Sequence, residues 1–185
     1  MGWTGTGLSS ATKSVSISKG TTGNRTYTAT WQIAQIVVMT GGTLQGSYVG
    51  ATPNMRTIQD CSSFAALYSR ITNGTGWEMG CHPVNYSGGF YTTLNKPVNL
   101  TGISTISFTI SQTTHERPKN ITTQLGVSTG VSTNSFKVAT GNIGTGSGTY
   151  TIDVSSLSGN HYLTVYHYHK SWRVYTTITK IVLSP

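Results

Sequence analysis

The chain has 185 residues, 9% of them charged and 36% hydrophobic, and its 12 Lys+Arg against 4 Asp+Glu give a formal charge of +8. Soluble domains usually carry about a quarter charged residues, yet this apolar content still supports the core of one ordinary domain with a small appendage. No apolar run approaches the roughly 18 residues of a membrane span, and the N-terminus lacks the basic-then-apolar plan of a signal peptide, so membrane insertion is not expected.

Near the N-terminus, Val15 and Ile17 alternate with Ser14, Ser16 and Ser18, the period of a half-buried strand. Lys19 to Asn24 reads as a turn, because Gly20, Gly23 and Asn24 accept positive φ cheaply. Tyr27, Ala29 and Trp31 then alternate with threonines, which completes a β-hairpin over residues 1–31. An isolated hairpin is marginal in water, so Trp3, Tyr27 and Trp31 are expected to bury against the following domain or a neighbouring chain.

Gln32 to Thr40 is a compact apolar run ended by Gly41-Gly42 and predicts a buried strand, followed by a polar loop to Thr57. In the segment Asp60 to Ile71, the residues Phe64, Leu67, Tyr68 and Ile71 have helical spacing, although a strand from Ala65 to Ile71 fits nearly as well. From Trp77 onward short alternating runs follow one another: Trp77–Cys81, Gly89–Leu94, Ile103–Ser111, Thr122–Val127, Ser135–Thr140, Thr149–Val154, Tyr162–His169 and Arg173–Leu183. Their even spacing predicts an all-β jelly-roll β-sandwich over residues 32–185, with at most one short helix.

Two stretches resemble known modules. Gly2-Trp3, the Ser14–Ser18 strand, the Lys19–Asn24 turn and Tyr27-Thr-Ala-Thr-Trp31 resemble the closing half of an internalin-type B-repeat of the Listeria–Bacteroides repeat family. That resemblance implies a β-rich extracellular spacer of the kind found in bacterial surface proteins and their phages. Lys96 to Ile110, Tyr150 to Val165 and Ile178 to Leu183 resemble three strand-bearing parts of galactose-binding-like jelly rolls of Firmicutes surface and phage tail proteins. That second resemblance implies a fold and a habitat, and no particular ligand.

Catalysis finds little support in the residues. A glycosidase needs two facing carboxylates, and the acids are Asp60, Glu78, Glu116 and Asp153. Asp153 lies in an Ile-Asp-Val-Ser-Ser turn, where it is expected to cap backbone amides. No activity, cofactor or metal is expected. His161, His167 and His169 share one strand face, but zinc would need another ligand, from His82 or His115. Cys61 and Cys81 could form one bridge or remain thiols. Basic residues are scattered and no RNA-binding signature occurs, so the charge points to anionic wall polymers and not to nucleic acid.

Aromatic residues remain. Tyr166, Tyr168, Trp172, Arg173 and Tyr175 cluster around the final hairpin, and Trp77, Tyr86 and Tyr91 mid-chain. Sugars stack their C–H faces on such rings while polar neighbours hold their hydroxyls. Tyr166, Tyr168, Trp172, Arg173 and Tyr175 are therefore the candidate ligand-binding residues. The expected function is a non-catalytic extracellular or virion attachment module, a phage tail or fibre component recognising a bacterial envelope glycan. The alternatives are a domain of a bacterial cell-surface adhesin and a structural virion protein without sugar binding. Expected partners are that glycan or an anionic wall polymer, with a homo-oligomer or a virion partner also open.

Overall fold

The computed structural model describes residues 2–30, 34–58, 67–81, 87–115, 122–170 and 174–185. The chain divides into two compact units, Met1–Ala34 and Gln35–Pro185. In the first, β1 (Gly2–Gly5) pairs antiparallel with β2 (Tyr27–Thr30), and an isolated bridge joins Trp3 to Thr12. The expected strand Ser14–Ser18 is not formed; the partner of β2 is β1. Backbone bonding explains this correction, because Trp3 exchanges both amide bonds with Thr12 on one edge while β2 occupies the other. The turn after Lys19 does form, with Gly20 and Gly23 at φ of 87° and 105°. None of the described residues in this unit is fully buried.

The second unit is a sandwich of antiparallel strands. One sheet runs β13-β10-β15-β3-β4, with β7 also on β15 and β6 on β7. These strands are β3 (Ile36–Thr40), β4 (Thr43–Leu44), β6 (Tyr68–Thr72), β7 (Gly76–Cys81), β10 (Thr105–His115), β13 (Gly148–Asp153) and β15 (Val174–Ser184). The other sheet runs β12-β11-β14-β8-β5, with β9 paired to β14. Its strands are β5 (Pro53–Ile58), β8 (Ser87–Leu94), β9 (Val98–Asn99), β11 (Thr122–Ser128), β12 (Val138–Ala139) and β14 (Asn160–Lys170). The chain passes repeatedly from one sheet to the other between β9 and β15, which is the wrapping of a jelly roll. We refer to the sheets as the seven-stranded and the six-stranded sheet.

Alternation fills the space between them. Ile106, Phe108, Trp77, Met79, Ile178 and Ile181 of the seven-stranded sheet meet Phe90, Leu94, Leu125, Val127, Leu163 and Val165 of the six-stranded sheet in one cluster. Polar groups are caught inside too: Trp77 Nε1 donates to Ser69 Oγ (2.9 Å), which also receives the Thr92 hydroxyl (2.7 Å). His167 is fully buried, stacks on Phe90 at 5.0 Å and shares a 3.0 Å hydrogen bond between its Nδ1 and the Thr123 hydroxyl.

Two further expectations are corrected. Residues Tyr68–Thr72 form strand β6 and not the end of a helix, because Ser69 must face inward to bond Trp77 while Tyr68 and Arg70 face outward; residues 60–66 lie outside the described part. The loop expected as far as Thr57 contains β5, an edge strand whose alternation is masked by Pro53, Asn54 and Arg56. Of the two cysteines weighed as a bridge or as thiols, Cys61 lies outside the described residues.

Candidate functional site

Because inner positions of β14 are apolar or histidine, its other residues point out of the sandwich. His161, Leu163, Val165 and His167 are buried, while Tyr162 and Tyr166 are partly exposed and Tyr168 is 36% exposed. Register then decides their neighbours. Across the six-stranded sheet, Gln124, Tyr166, Tyr91 and Arg56 form one rung. Tyr166 and Tyr91 stack with centroids 4.7 Å apart at 29°. The next rung holds Thr122, Tyr168, Gly89 and Ile58. A Cβ on Gly89 would sit 3.0 Å from the Tyr166 ring and 2.8 Å from the His167 carbonyl oxygen, so only glycine admits the tyrosine that leans over it. Gln124 Nε2 donates to the Thr140 carbonyl (3.1 Å), which holds the amide in place while its Oε1 remains an acceptor on the Tyr166 rung.

The connection between β11 and β12 covers the other end of this face. Phe136 meets Tyr91 edge-on at 5.5 Å, and Arg56 lies 6.0 Å from the centre of the Tyr91 ring. Arg56 Nε donates to Asn134 Oδ1 (3.0 Å), and its Nη2 donates to the Thr133 carbonyl and to Thr93 Oγ1 (3.2 Å). Beneath the connection, the hydroxyls of Thr93, Thr164 and Ser128 continue the chain at 3.1 and 2.9 Å, and Ser128 donates to the Gly130 carbonyl at 3.0 Å. Thr164 Oγ1 also donates to the Tyr162 carbonyl at 3.1 Å, so it can receive the Thr93 hydroxyl while Ser128 donates to Gly130. Burial lowers the Arg56 pKa, with Tyr91 opposing weakly, and burial raises that of Tyr91 against the pull of Arg56. A guanidinium stays protonated under such shifts, so this face carries a cation that has no carboxylate partner among the described residues.

Tyr175 stands elsewhere. It projects from β15 on the outer face of the seven-stranded sheet, opposite the face that holds Tyr166 and Tyr168, since its neighbours Thr176 and Ile178 are the buried ones. The structure therefore brings Tyr166 and Tyr168 together and sets Tyr175 apart; Trp172 and Arg173 lie outside the described residues. Tyr175 has its own company. Tyr68, Gly80 and Tyr175 form one rung, with the two rings 6.3 Å apart at 31°. On the next rung Arg70 Nε bonds Glu78 Oε2 at 3.2 Å, and the Arg70 guanidinium lies 5.1 Å from the Tyr68 ring centre. Glu78 also accepts the Thr72 hydroxyl, and that bond above all, with Arg70 added, holds its pKa below the usual carboxylate value despite partial burial.

The other expected chemistry is placed as follows. Trp77 is core, and Tyr86 lies outside the described residues. His167 is packed in the core, and the described residues contain no group of three metal-ligating side chains. Asp153 Oδ1 accepts the Ser155 backbone amide at 2.8 Å, as its turn sequence led us to expect. Asp153 and Glu78 both belong to the seven-stranded sheet, but Asp153 aligns through Thr105 with Ser184 and Glu78 with Thr177. Seven positions along β15 separate those rungs, about 20 Å at strand rise, too far for a glycosidase pair. Asp60 and Glu116 lie outside the described residues. Sequence reading missed Arg56, Tyr68 and Arg70, since β5 read as a loop and the segment holding Tyr68 and Arg70 read as a helix, with a strand fitting nearly as well.

No family model and no curated protein matches this chain. Among solved structures, the chain is similar to a low-affinity xylan-binding module, CBM86, from the gut symbiont Roseburia intestinalis: 11% identity, 71% of this chain and 94% of that one, TM-score 0.40. It is also similar to a mutant of CBM29-2, a family 29 carbohydrate-binding module: 12% identity, 82% and 92% covered, TM-score 0.44. A third is TmCBM61, solved with β-1,4-galactotriose: 12% identity, 72% and 88% covered, TM-score 0.43. The likeness is one of broad architecture.

Proposed function

We propose that this chain is a non-catalytic glycan-binding module that works outside the cell, as a phage tail or fibre component attaching its carrier to a bacterial envelope glycan. One observation carries the reading: Tyr166, stacked on Tyr91, and the exposed Tyr168 form an aromatic ledge on the outer face of the six-stranded sheet. Gln124 supplies an acceptor beside it and Arg56 a cation. A sugar ring laid on Tyr166 and Tyr168 gives its C–H face to the rings and its hydroxyls to Gln124. Surface rings that the core does not need are commonly kept for binding. The carrier assignment, and that of residues 1–31 as the remnant of a surface repeat ahead of a jelly roll from residue 32, draws on the resemblances of those segments.

A glycan array of bacterial envelope polysaccharides, probed at low salt, tests the reading. The expected result is binding by the wild-type protein and its loss in Tyr166→Ala/Tyr168→Ala with the fold retained. A folded wild-type protein that binds no envelope glycan overturns it.

A further inference from the structure

We propose that the outer face of the seven-stranded sheet carries a second glycan site, for a neutral polysaccharide, built on Tyr68 and Tyr175 with Arg70 and Glu78 at its edge. The inference extends the reading above without depending on it, because the two faces share no residue. Its floor follows from register: Gly80 separates the two tyrosines and brings no side chain, so the rings adjoin over bare backbone. At 6.3 Å and 31° they leave no slot between them; they make a twisted ledge. Both rings are partly exposed, and the Arg70 side chain beside them is 64% exposed.

The polar edge decides what the ledge takes. Sugar hydroxyls need donors and acceptors side by side. Arg70 has five N–H donors, of which the ion pair to Glu78 uses one, and Glu78 has acceptor capacity beyond its bonds to Arg70 and Thr72. Among the described residues, Glu78 balances Arg70, so this pair adds no net charge beside the ledge in a chain of formal charge +8. An acidic sugar would meet the carboxylate, whereas a neutral sugar meets none of that repulsion. Further hydroxyls lie on the same outer face, where Ser107 and Thr151 pair at 2.9 Å and Thr109 and Thr149 at 3.2 Å, so a polysaccharide chain finds polar footing past the ledge. A protein with glycan sites on both faces bridges two chains or two parts of one, and gains avidity without a new contact.

Affinity gel electrophoresis in dextran, mannan, hydroxyethylcellulose and polygalacturonate tests the proposal. The starting protein is Tyr166→Ala/Tyr168→Ala, which lacks the first ledge. It should still be retarded by at least one neutral polymer, and adding Tyr68→Ala with Tyr175→Ala should weaken that binding about tenfold. Arg70→Gln, at an exposed position, should weaken it while moving the melting temperature by no more than a few degrees, the loss of one exposed ion pair, which separates loss of site from loss of fold. Retardation only by polygalacturonate, no retardation by any neutral polymer, or retardation unchanged by the Tyr68, Tyr175 and Arg70 substitutions would each overturn it. So would a dimer seen by sedimentation that dissolves on Tyr175→Ala, which would make the face a contact between copies. The first reading fails separately, when Tyr166→Ala/Tyr168→Ala leaves envelope-glycan binding unchanged.

Discussion

Thr164→Val removes one hydroxyl from the buried relay while keeping the shape of the side chain. Thr164 is 0% exposed and receives the Thr93 hydroxyl at 3.1 Å, while Thr93 itself accepts Arg56 Nη2 at 3.2 Å. After the change, Thr93 keeps a buried O–H with no acceptor, and Ser128 loses its 2.9 Å neighbour while still donating to the Gly130 carbonyl. One stranded buried hydroxyl costs about 1–3 kcal/mol. At about 2–4 °C per kcal/mol for a domain of this size, the melting temperature should drop by several degrees.

The double variant Thr93→Val/Thr164→Val sharpens the test. Removing both partners strands no donor between them, and Arg56 Nη2 retains the Thr133 carbonyl. The pair should therefore cost about 1 kcal/mol less than the sum of the two single changes, a coupling well above the scatter of independent sites. Differential scanning calorimetry, or urea unfolding with unchanged slope, measures it. Strict additivity would refute the relay, and so would a Thr164→Val protein as stable as wild type.

Other perturbations address single contacts. Tyr168→Ala should leave stability within about 0.5 kcal/mol, as an exposed position does, whereas Tyr166→Ala should cost about 1 kcal/mol through its lost stack on Tyr91; thermal melts separate them. Gly126→Ala should destabilise by about 1–3 kcal/mol, since the added carbon would lie 2.7 Å from the Phe136 ring and press on the Val138 carbonyl; a chemical melt measures the loss. Glu78 has a lowered pKa when folded, so its contribution is complete above the ordinary carboxylate range and is lost as the pH falls through the folded value. Glu78→Gln should accordingly flatten the acid limb of melting temperature against pH, and an unchanged limb would count against the Thr72 and Arg70 contacts.

The legible and illegible parts of this fold differ in one physical respect. The faces of β14 could be read because Leu163 and Val165 alternate with tyrosines, a contrast strong enough to assign inside and outside without a partner strand. The stretch from Phe64 to Ile71 gave no such contrast, since its apolar residues suit a period of 3.6 and of 2 at once; the inward turn of Ser69 toward Trp77 comes from packing and not from local preference. Strand β5 was hidden because an edge strand starting at Pro53 carries polar residues on both faces. Candidate rings were visible as residues, but their grouping was not. Tyr166 and Tyr175 are close in sequence and on opposite faces, while Tyr166 and Tyr91 are far apart and stacked, because register joins strands that the sequence separates.

That separation of faces also explains how one sandwich can present aromatic rings without depending on them. Between the sheets, Trp77, Phe90 and Phe108 are fully buried in a closed cluster. The outward tyrosines add little to that cluster, so their identity is free to follow a ligand, subject only to the small residues that admit them, Gly89 beneath Tyr166 and Gly80 between Tyr68 and Tyr175. Charge then distinguishes the two ledges. Arg56 stands with no carboxylate among the described residues, whereas Arg70 is balanced by Glu78. Attraction of an anionic wall polymer to the first ledge should weaken with salt as screening shortens its reach, while binding of a neutral chain at the second should hold nearly constant. A different salt dependence at each ledge is what this arrangement of charges predicts.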